Sequence, residues 1–501
     1  MIVAGQIRKG AYFDSVTLMR VGKDIAALPG VIDAAVVMGT KSNKAILNSS
    51  GLLSARLENA NDTDLLVAIK GETETATQSA LAAVDGLLKK TVRTTTNGSG
   101  SRPTNLAGAL NLIPGANLAL ISIAGRYAGE EAMRALENGL HVMLFSDNVP
   151  IETEIALKKA AQKRGLLVMG PDCGTAIING VPLAFANVVN RGNIGVVAAA
   201  GTGLQEVSCI ISNAGAGISQ AIGTGGRDVK KEVGGIMFLE GLKALAKDEQ
   251  TKVILLVSKP PHPDVLKRIA KTLKGIRKPV VTMFIGATSA TLEEAALAAV
   301  ALSRGKEQPE LVARNAEIQR IARREARKRN KHQKYVRGLF SGGTFCAEAQ
   351  ILMLPMISGV YSNAPTGTAK PLKNSLKSIR NTLIDLGEDE FTVGRPHPMI
   401  DYSLRNKRIL GEAADPETAV ILLDVVLGYG SHPDPGAELA PVIRQVSRKV
   451  SVVCSITGTN QDPQNRSRVE AALRKAGAIV MPSNAAACKL SAQIIQCLRK
   501  K

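Results

Sequence analysis

Along most of the chain, short apolar runs rich in β-formers alternate with stretches whose apolar residues recur at helical spacing. That alternation predicts an α/β protein. In residues 1–91, strands are expected at Ile2–Ile7, Val31–Met38 and Asp64–Ile69. Helices are expected at Asp14–Leu28, capped by Asp14, and Thr75–Lys90, with Ala45–Leu57 mixed. The polar stretch Thr94–Thr104 reads as a linker. Beyond it, strands at Leu118–Ile123, His141–Phe145 and Leu166–Met169 alternate with helices at Gly129–Asn138 and Ile151–Arg164. This is the order of a doubly wound parallel sheet, whose ligands lie beyond the strand C-termini. Gly125, Ser146-Asp147-Asn148 and Gly170–Thr175 fall at that edge. The alternation continues through Val253–Ser258 and Val280–Ile285, and again through Thr382–Leu386, Ala419–Leu427, Val450–Ile456 and Ala478–Met481.

The predicted organisation is an N-terminal α/β domain (1–93), a Rossmann-like domain (105–191), a further α/β module (192–305), a basic helical linker (306–334) and a second such module (335–501). The length of 501 residues fits this division. With 45% apolar residues but only 3% aromatic and no tryptophan, the cores must be aliphatic. No export signal and no run of membrane-spanning length is evident. Six scattered cysteines without a C-x-x-C pair argue against zinc fingers and a disulfide framework, and a reducing cytoplasm is the expected compartment. No metal-ligand spacing stands out. The net charge of +20 is concentrated in Arg314–Arg337, which reads as a solvated inter-domain helix with Ile318 and Ile321 as its apolar anchors. Tyr335 is the only aromatic residue beside it, so no stacking platform for bases exists and nucleic acid is not the expected partner.

Chemistry concentrates in the glycine turns. Ile194–Ala199 runs into Gly201-Thr202-Gly203 and a helix through Ala214, with Gly225-Gly226-Arg227-Asp228 and Glu232–Gly235 following. A turn of this kind bares backbone N–H groups where the helix dipole favours negative charge, a cradle suited to phosphate. Any α/β protein also contains such turns for structural reasons. Ser341-Gly342-Gly343-Thr344 echoes the first turn and offers a second cradle. His397 is the leading acid/base candidate, set between two prolines with Arg395 close by for a carboxylate or phosphate. A structural histidine and a surface ion pair fit the same residues. Asp401 either orients His397 or caps the next helix, and Arg227 and Asp228 read as an anion contact and a cap. His432 lies in a turn after a strand whose end carries Asp424, and His262 reads as a surface-loop residue. Cys173 and Cys346 beside the cradles fit buried fillers or thiolates.

Taken together and in order, GPDCGTAIING, AAAGTGLQE, IGTGGRD, RGLFSGGT, VGRPHPMID and LDVVLGYGSHPDP resemble the FdrA family over nearly the whole chain. That family is similar to the α subunit of succinyl-CoA synthetase, a likeness confined mainly to residues 115–290. The resemblance implies that 105–191 is a Rossmann-like CoA-binding-type domain ending at Gly170, Asp172, Gly174 and Thr175, and that 192–305 and 335–501 are flavodoxin-like modules of the succinyl-CoA-synthetase type, that is, CoA-ligase-like. It implies that Gly201, Thr202, Gly203 and Glu206 open the helix that holds phosphate, with Ala200 in place of the usual serine. The phosphorylated histidine expected after the strand at Val280–Ile285 is missing from GATSATLEEAALAAV, so the relay from acyl phosphate to nucleotide lacks its carrier. The resemblance further implies phosphate as a substrate, CoA and nucleotide as candidate cofactors, and partner subunits. The activity it implies is that of the large subunit of oxamate carbamoyltransferase in allantoin and purine degradation, moving a carbamoyl group from oxalurate to phosphate. The alternative is a nucleoside-diphosphate-forming acyl-CoA synthetase.

Overall fold

A computed structural model describes residues 2–93 except 10, 12 and 14, then 103, 105–288, 290–306, 312–392 and 396–500. Arg395, the Asp14 cap and nearly all of the expected linker lie outside the described residues. The chain forms two compact units, one of Met1–Ala116, Ser122–Ala124 and Glu388–His397, the other of Asn117–Ile121, Gly125–Gly387 and Pro398–Lys501.

In the first unit, Leu65–Gly71 lies between Ile2–Arg8 and Val31–Met38 and runs antiparallel to both. Its near-continuous apolar sequence follows from burial on both faces, with Leu65, Val67 and Ile69 in one cluster and Leu66 and Ala68 in the other. Helices Ser15–Ala26 and Glu74–Arg93 supply Leu18, Val21, Ile25, Val84 and Leu88 to the first cluster. The expected strands and the two long helices are all present, and the mixed segment resolves into helices Lys41–Ser49 and Ala55–Glu58.

The second unit holds three sheets. Leu118–Ile121, His141–Leu144 and Val168–Met169 form a small parallel sheet. A six-stranded sheet follows, in the order Val280–Phe284, Val253–Ser258, Arg191–Ala199, Ile218–Gly223, Thr175–Ile178 and Val181–Ala184. Its last two strands are an antiparallel hairpin. The sheet therefore begins at Thr175, ahead of the boundary expected at 191, because Ile177 pairs with Ala221. The third sheet has seven strands, all parallel, with Tyr335–Phe340 and Thr418–Val426 at its centre and Ser451–Thr457 beside them.

The two larger sheets share one core. A single cluster takes Leu204 and Ile211 from helix Gly201–Asn213, Phe345 from helix Gly343–Met353, and Ile494 and Ile495 from helix Asn484–Arg499. The basic segment belongs to that core, which corrects the expectation of a solvated linker. In helix Val312–Arg327, Ile318, Ala322 and Ala326 are buried on one face, while Arg320, Arg323 and Arg327 project to solvent on the other. Apolar spacing of three and four residues, carried by Ile and Ala among many arginines, is enough to seat the helix.

Buried carboxylates stitch the modules together. Glu206 accepts from Thr457 Oγ1 (2.5 Å) and the Asn484 amide (3.0 Å). Glu348 accepts from the Leu292 amide and from Asn484 Nδ2, each at 2.8 Å. Burial raises both carboxyl pKa values, Glu348 to about 7, and the Glu206 charge adds to the shift at Glu348. Unfolded, Glu348 would lose its proton near 4.5. Between those values the folded chain binds the extra proton, so stability should fall as pH rises through the window, with the loss complete above about 7. The loss is on the order of 3 kcal/mol. Urea unfolding across this window should show a flatter pH dependence for Glu348→Gln than for the wild type; equal slopes would exclude Glu348 as the source.

Candidate functional site

The first glycine turn follows the strand Arg191–Ala199, which lies between two parallel neighbours. Ala200 is the N-cap, in extended conformation and without a side-chain cap, and the helix begins at Gly201. The second turn follows Tyr335–Phe340, with Gly342 as N-cap of the helix beginning at Gly343. The fold brings these two helix starts face to face. A β-carbon on Gly342 would stand 2.8 Å from Thr202 Oγ1, and one on Gly203 would stand 2.9 Å from Thr344 Cγ2. Each helix thus presents a threonine to a glycine of the other, and neither glycine tolerates a side chain without displacement. Two positive dipole ends converge there, which favours a negatively charged ligand.

Thr202 and Thr344 are 8% and 4% exposed, and among the described residues neither hydroxyl has a hydrogen-bond partner. Two charged groups, neither evident as a candidate from sequence, reach the same place. A β-carbon on Gly343 would meet Asp385 Oδ2 at 2.5 Å and Lys259 Nζ at 3.6 Å. Lys259 follows the strand Val253–Ser258 and Asp385 ends the strand Asn381–Asp385. Their position at the C-terminal ends of parallel strands is the signal that could have found them.

The second cradle is partly filled by the protein itself. Asp424 accepts from the Ser341 amide (2.8 Å), Ser341 Oγ (2.7 Å) and the Gly342 amide (3.0 Å). Arg405 NH1 holds the same carboxylate at 3.2 Å, and both residues are fully buried. The Ser341 and Gly342 amides are therefore committed to Asp424, and only the later amides of that turn, from Gly343 on, are left for a ligand.

Several other expected ligand contacts are occupied by protein groups. Lys158, fully buried, donates to Glu154 and Asp228 at 2.8 Å each and to the Thr224 carbonyl at 3.0 Å. Asp228 also accepts from the Met237 and Phe238 amides at the start of helix Ile236–Lys247, in keeping with the expected capping role. Arg227 pairs with Glu154 at 2.9 Å and donates to the Val149 carbonyl. Gly225 accepts from the Asp228 amide, and the space beside Gly226 is open. In the GPDCGT turn, Gly170 packs on the Leu144 carbonyl and the Asp172 amide donates to the Ser146 carbonyl. Thr175 Oγ1 donates to the Phe185 carbonyl at 2.6 Å, and the Gly174 carbonyl accepts from the Phe185 amide. Burial pushes the Cys173 thiol up to about 12 and also raises Cys346, so both are thiols rather than thiolates at neutral pH. Glu206 points into the core, away from any cradle role.

His397 belongs to the first unit and Asp401 to the second. Desolvation pulls the His397 pKa down to about 4, leaving a neutral imidazole at pH 7. Asp401 accepts from the Ser403 amide and hydroxyl ahead of helix Ser403–Ala414, whose N-cap is Tyr402 without a side-chain cap. His432 Nδ1 accepts from the Asp434 amide, and its ring meets Tyr402 edge-on at 5.5 Å. His262 Nδ1 accepts from the Asp264 amide and caps helix Pro263–Leu273.

Comparison with known proteins follows the sheets of the fold and not the expected domain types, since the CoA-binding match falls on 189–286 and not on 105–191. Residues 189–286 match the CoA binding domain family, 339–494 the CoA-ligase family, and 1–104 the family described as AllF, heavy metal-associated domain. Residues 1–104 contain neither cysteine nor histidine, so they offer no thiolate or imidazole ligand to a heavy metal. The chain is 41% identical to the uncharacterized protein YahF of Escherichia coli (strain K12) over 496 residues, 95% of this chain and 96% of that one. It is 28% identical to the succinate–CoA ligase [ADP-forming] subunit alpha 1 of Archaeoglobus fulgidus over 178 residues, 35% of this chain and 60% of that one. Among solved structures it is similar to dinucleotide-forming acetyl-coenzyme A synthetase 1 of Ca. Korarchaeum cryptofilum in complex with phosphate and ADP. That match has 14% identity and a TM-score of 0.29, and covers 77% of this chain and 83% of that one. Among the described residues, no helix is long and apolar enough to cross a membrane.

The Asp424–Arg405 pair sets the second turn, and removing its acid should be costly. Asp424→Ala leaves a buried guanidinium uncompensated, which should destabilise by about 3–5 kcal/mol. A chemical denaturation difference under about 1 kcal/mol would show that water reaches Arg405 and that the pair is not what holds the turn.

Proposed function

Because the chain belongs to the FdrA-like family that includes Escherichia coli YahF, and is an acyl-CoA-synthetase-like protein with an AllF-type N-terminal domain, we propose that it catalyses acyl exchange involving phosphate. The observation that carries this reading is the meeting of the Gly201 and Gly343 helix starts, with two unpartnered threonine hydroxyls between them. Backbone N–H groups preorganised in this way stabilise charge as it develops on a phosphate or on a tetrahedral carbonyl oxygen. In the acyl-CoA-synthetase form of the reaction, a CoA thiolate attacks the carbonyl of an acyl phosphate. The acyl–oxygen bond breaks, and phosphate leaves into the cradle with the electron pair. The segment Gly286–Val300 contains no histidine to take phosphate onward, so phosphate is a reactant or product rather than a relayed group. CoA use is supported by the family match over residues 189–286; nucleotide use has no residue-level support of its own.

A second reading rests on a different observation, the AllF-type match over residues 1–104. Here a phosphate oxygen attacks the ureido carbonyl of an acid such as oxalurate. The carbon–nitrogen bond breaks, the nitrogen takes up a proton, and oxamate and carbamoyl phosphate result. The same cradle would bind the phosphate, and partner subunits would supply groups this chain lacks.

Two assays on the full chain, alone and with any co-purifying subunits, separate these readings. Acyl-CoA formed from an acyl phosphate and CoA supports the first, and carbamoyl phosphate formed from oxalurate and phosphate supports the second. Absence of both products would overturn the assignment to phosphate-linked acyl exchange. Gly203→Ala, which drives a methyl group against Thr344, should lower kcat by at least about tenfold in whichever assay is positive.

A further inference from the structure

Nothing in its local sequence singles out Lys259, yet it reaches the start of the Gly343 helix. We propose that Lys259 is the residue that meets the charge of a phosphoryl group at this site, with an ammonium standing beside the uncapped start of the Gly201 helix. The inference rests on the phosphate reading and adds the cation that phosphate exchange would use.

The strand ending at Ser258 runs parallel to the strand ending at Ala199, and those two residues stand in register. Lys259 therefore leaves the sheet level with Ala200, the N-cap that makes no side-chain hydrogen bond to the Gly201 helix. Val257, two residues earlier, borders the same turn, since a β-carbon on Gly203 would meet its Cγ1 at 3.2 Å. The lysine stem then carries Nζ toward the opposite helix, to 3.6 Å from where a β-carbon on Gly343 would stand. One side chain thus links the two helix starts. The other donors there are backbone N–H groups and the hydroxyls of Thr202 and Thr344, both more than nine-tenths buried and without protein partners among the described residues. All of these are neutral. Lys259 is an exposed cation beside them, and no hydrogen bond or ion pair ties it to another described residue. Asp385 borders the same space with a carboxylate already engaged by the Gly387 amide at 2.9 Å. A charge-assisted hydrogen bond is roughly twice as strong as a neutral one, so an ammonium adds what the turns by themselves lack. Its long flexible stem lets the charge follow the phosphate oxygens. In the acyl-exchange step the acyl–oxygen bond breaks and its electron pair goes to the departing phosphate, which gains one negative charge before it takes a proton from solvent. Lys259 keeps its own proton and stabilises that charge as it forms.

Calorimetric titration of the full chain with inorganic phosphate, near neutral pH and at low salt, tests the proposal. Lys259→Ala and Lys259→Gln should each weaken phosphate binding by about tenfold, and Lys259→Arg should recover it to within about threefold of the wild type, because the charge returns and not merely a donor. Lys267→Ala, which removes an exposed lysine from helix Pro263–Leu273, should leave the affinity within about twofold, since a distant surface charge is screened. Each variant should melt with the wild type, because Lys259 is exposed and holds no other described residue. Equal phosphate affinity in Lys259→Ala and wild type, full recovery in Lys259→Gln, no recovery in Lys259→Arg, or an equal loss in Lys267→Ala would overturn this inference and leave the phosphate reading intact. Loss of the fold in Lys259→Ala would show the lysine to be structural and would overturn it as well. A wild type that binds no phosphate would overturn both.

Discussion

The approach of two helix N-termini, through Gly203 against Thr344 and Gly342 against Thr202, is the constraint on which the rest of the second unit turns. A β-carbon at either glycine would part the helices. Holding two positive dipole ends together is electrostatically unfavourable unless a negative group sits between or beside them. The fold meets that demand in part with Asp424, which takes the Ser341 and Gly342 amides and is itself neutralised by Arg405. It leaves the Gly201 and Gly343 sides open to a ligand. In the proposed reaction a structural carboxylate and a bound phosphate would divide one electrostatic requirement.

A second consequence is the buried polar seam between the modules. Glu206 and Glu348 both bond to Asn484 at the start of the last long helix, and Glu206 also bonds to Thr457. Asp462 accepts from Asn187, Val188 and Thr459 in the same part of the structure. Buried groups of this kind contribute little net stability, since desolvation opposes each bond formed. They do penalise any other docking of the modules, because a shifted register would leave carboxylates unpaired. Glu206 therefore belongs to assembly, although it follows the glycine turn by only three residues.

Much of the architecture was legible from local pattern. The strands at 253–258, 419–426 and 451–456 fall where apolar β-forming runs stand between turn residues, because strands buried on both faces are largely apolar. The basic helix was recognised as a helix but misplaced in solvent. Ile318 and Ile321 are legible as its anchors, but burial of the whole stripe depends on Ala322 and Ala326, small residues that mark a buried face only when a partner packs on them. The hairpin at 175–184 was hidden for a related reason, since a short edge strand is set by what it pairs with.

For the site, sequence alone determined that glycine turns start helices at 201 and 343, that Ala200 offers no hydroxyl, and that Gly286–Val300 lacks a histidine. These are local properties, fixed by backbone freedom and residue identity. Tertiary structure alone decided that the two turns face each other and that Asp424 occupies part of one. It also decided that Arg227 and Asp228 are held by Glu154 and Lys158, and that Lys259 and Asp385 stand where the turns meet. The reason is distance along the chain. Residues more than a hundred positions apart share a site only when sheet order brings their strand ends together, and that order depends on packing that no short stretch of sequence contains.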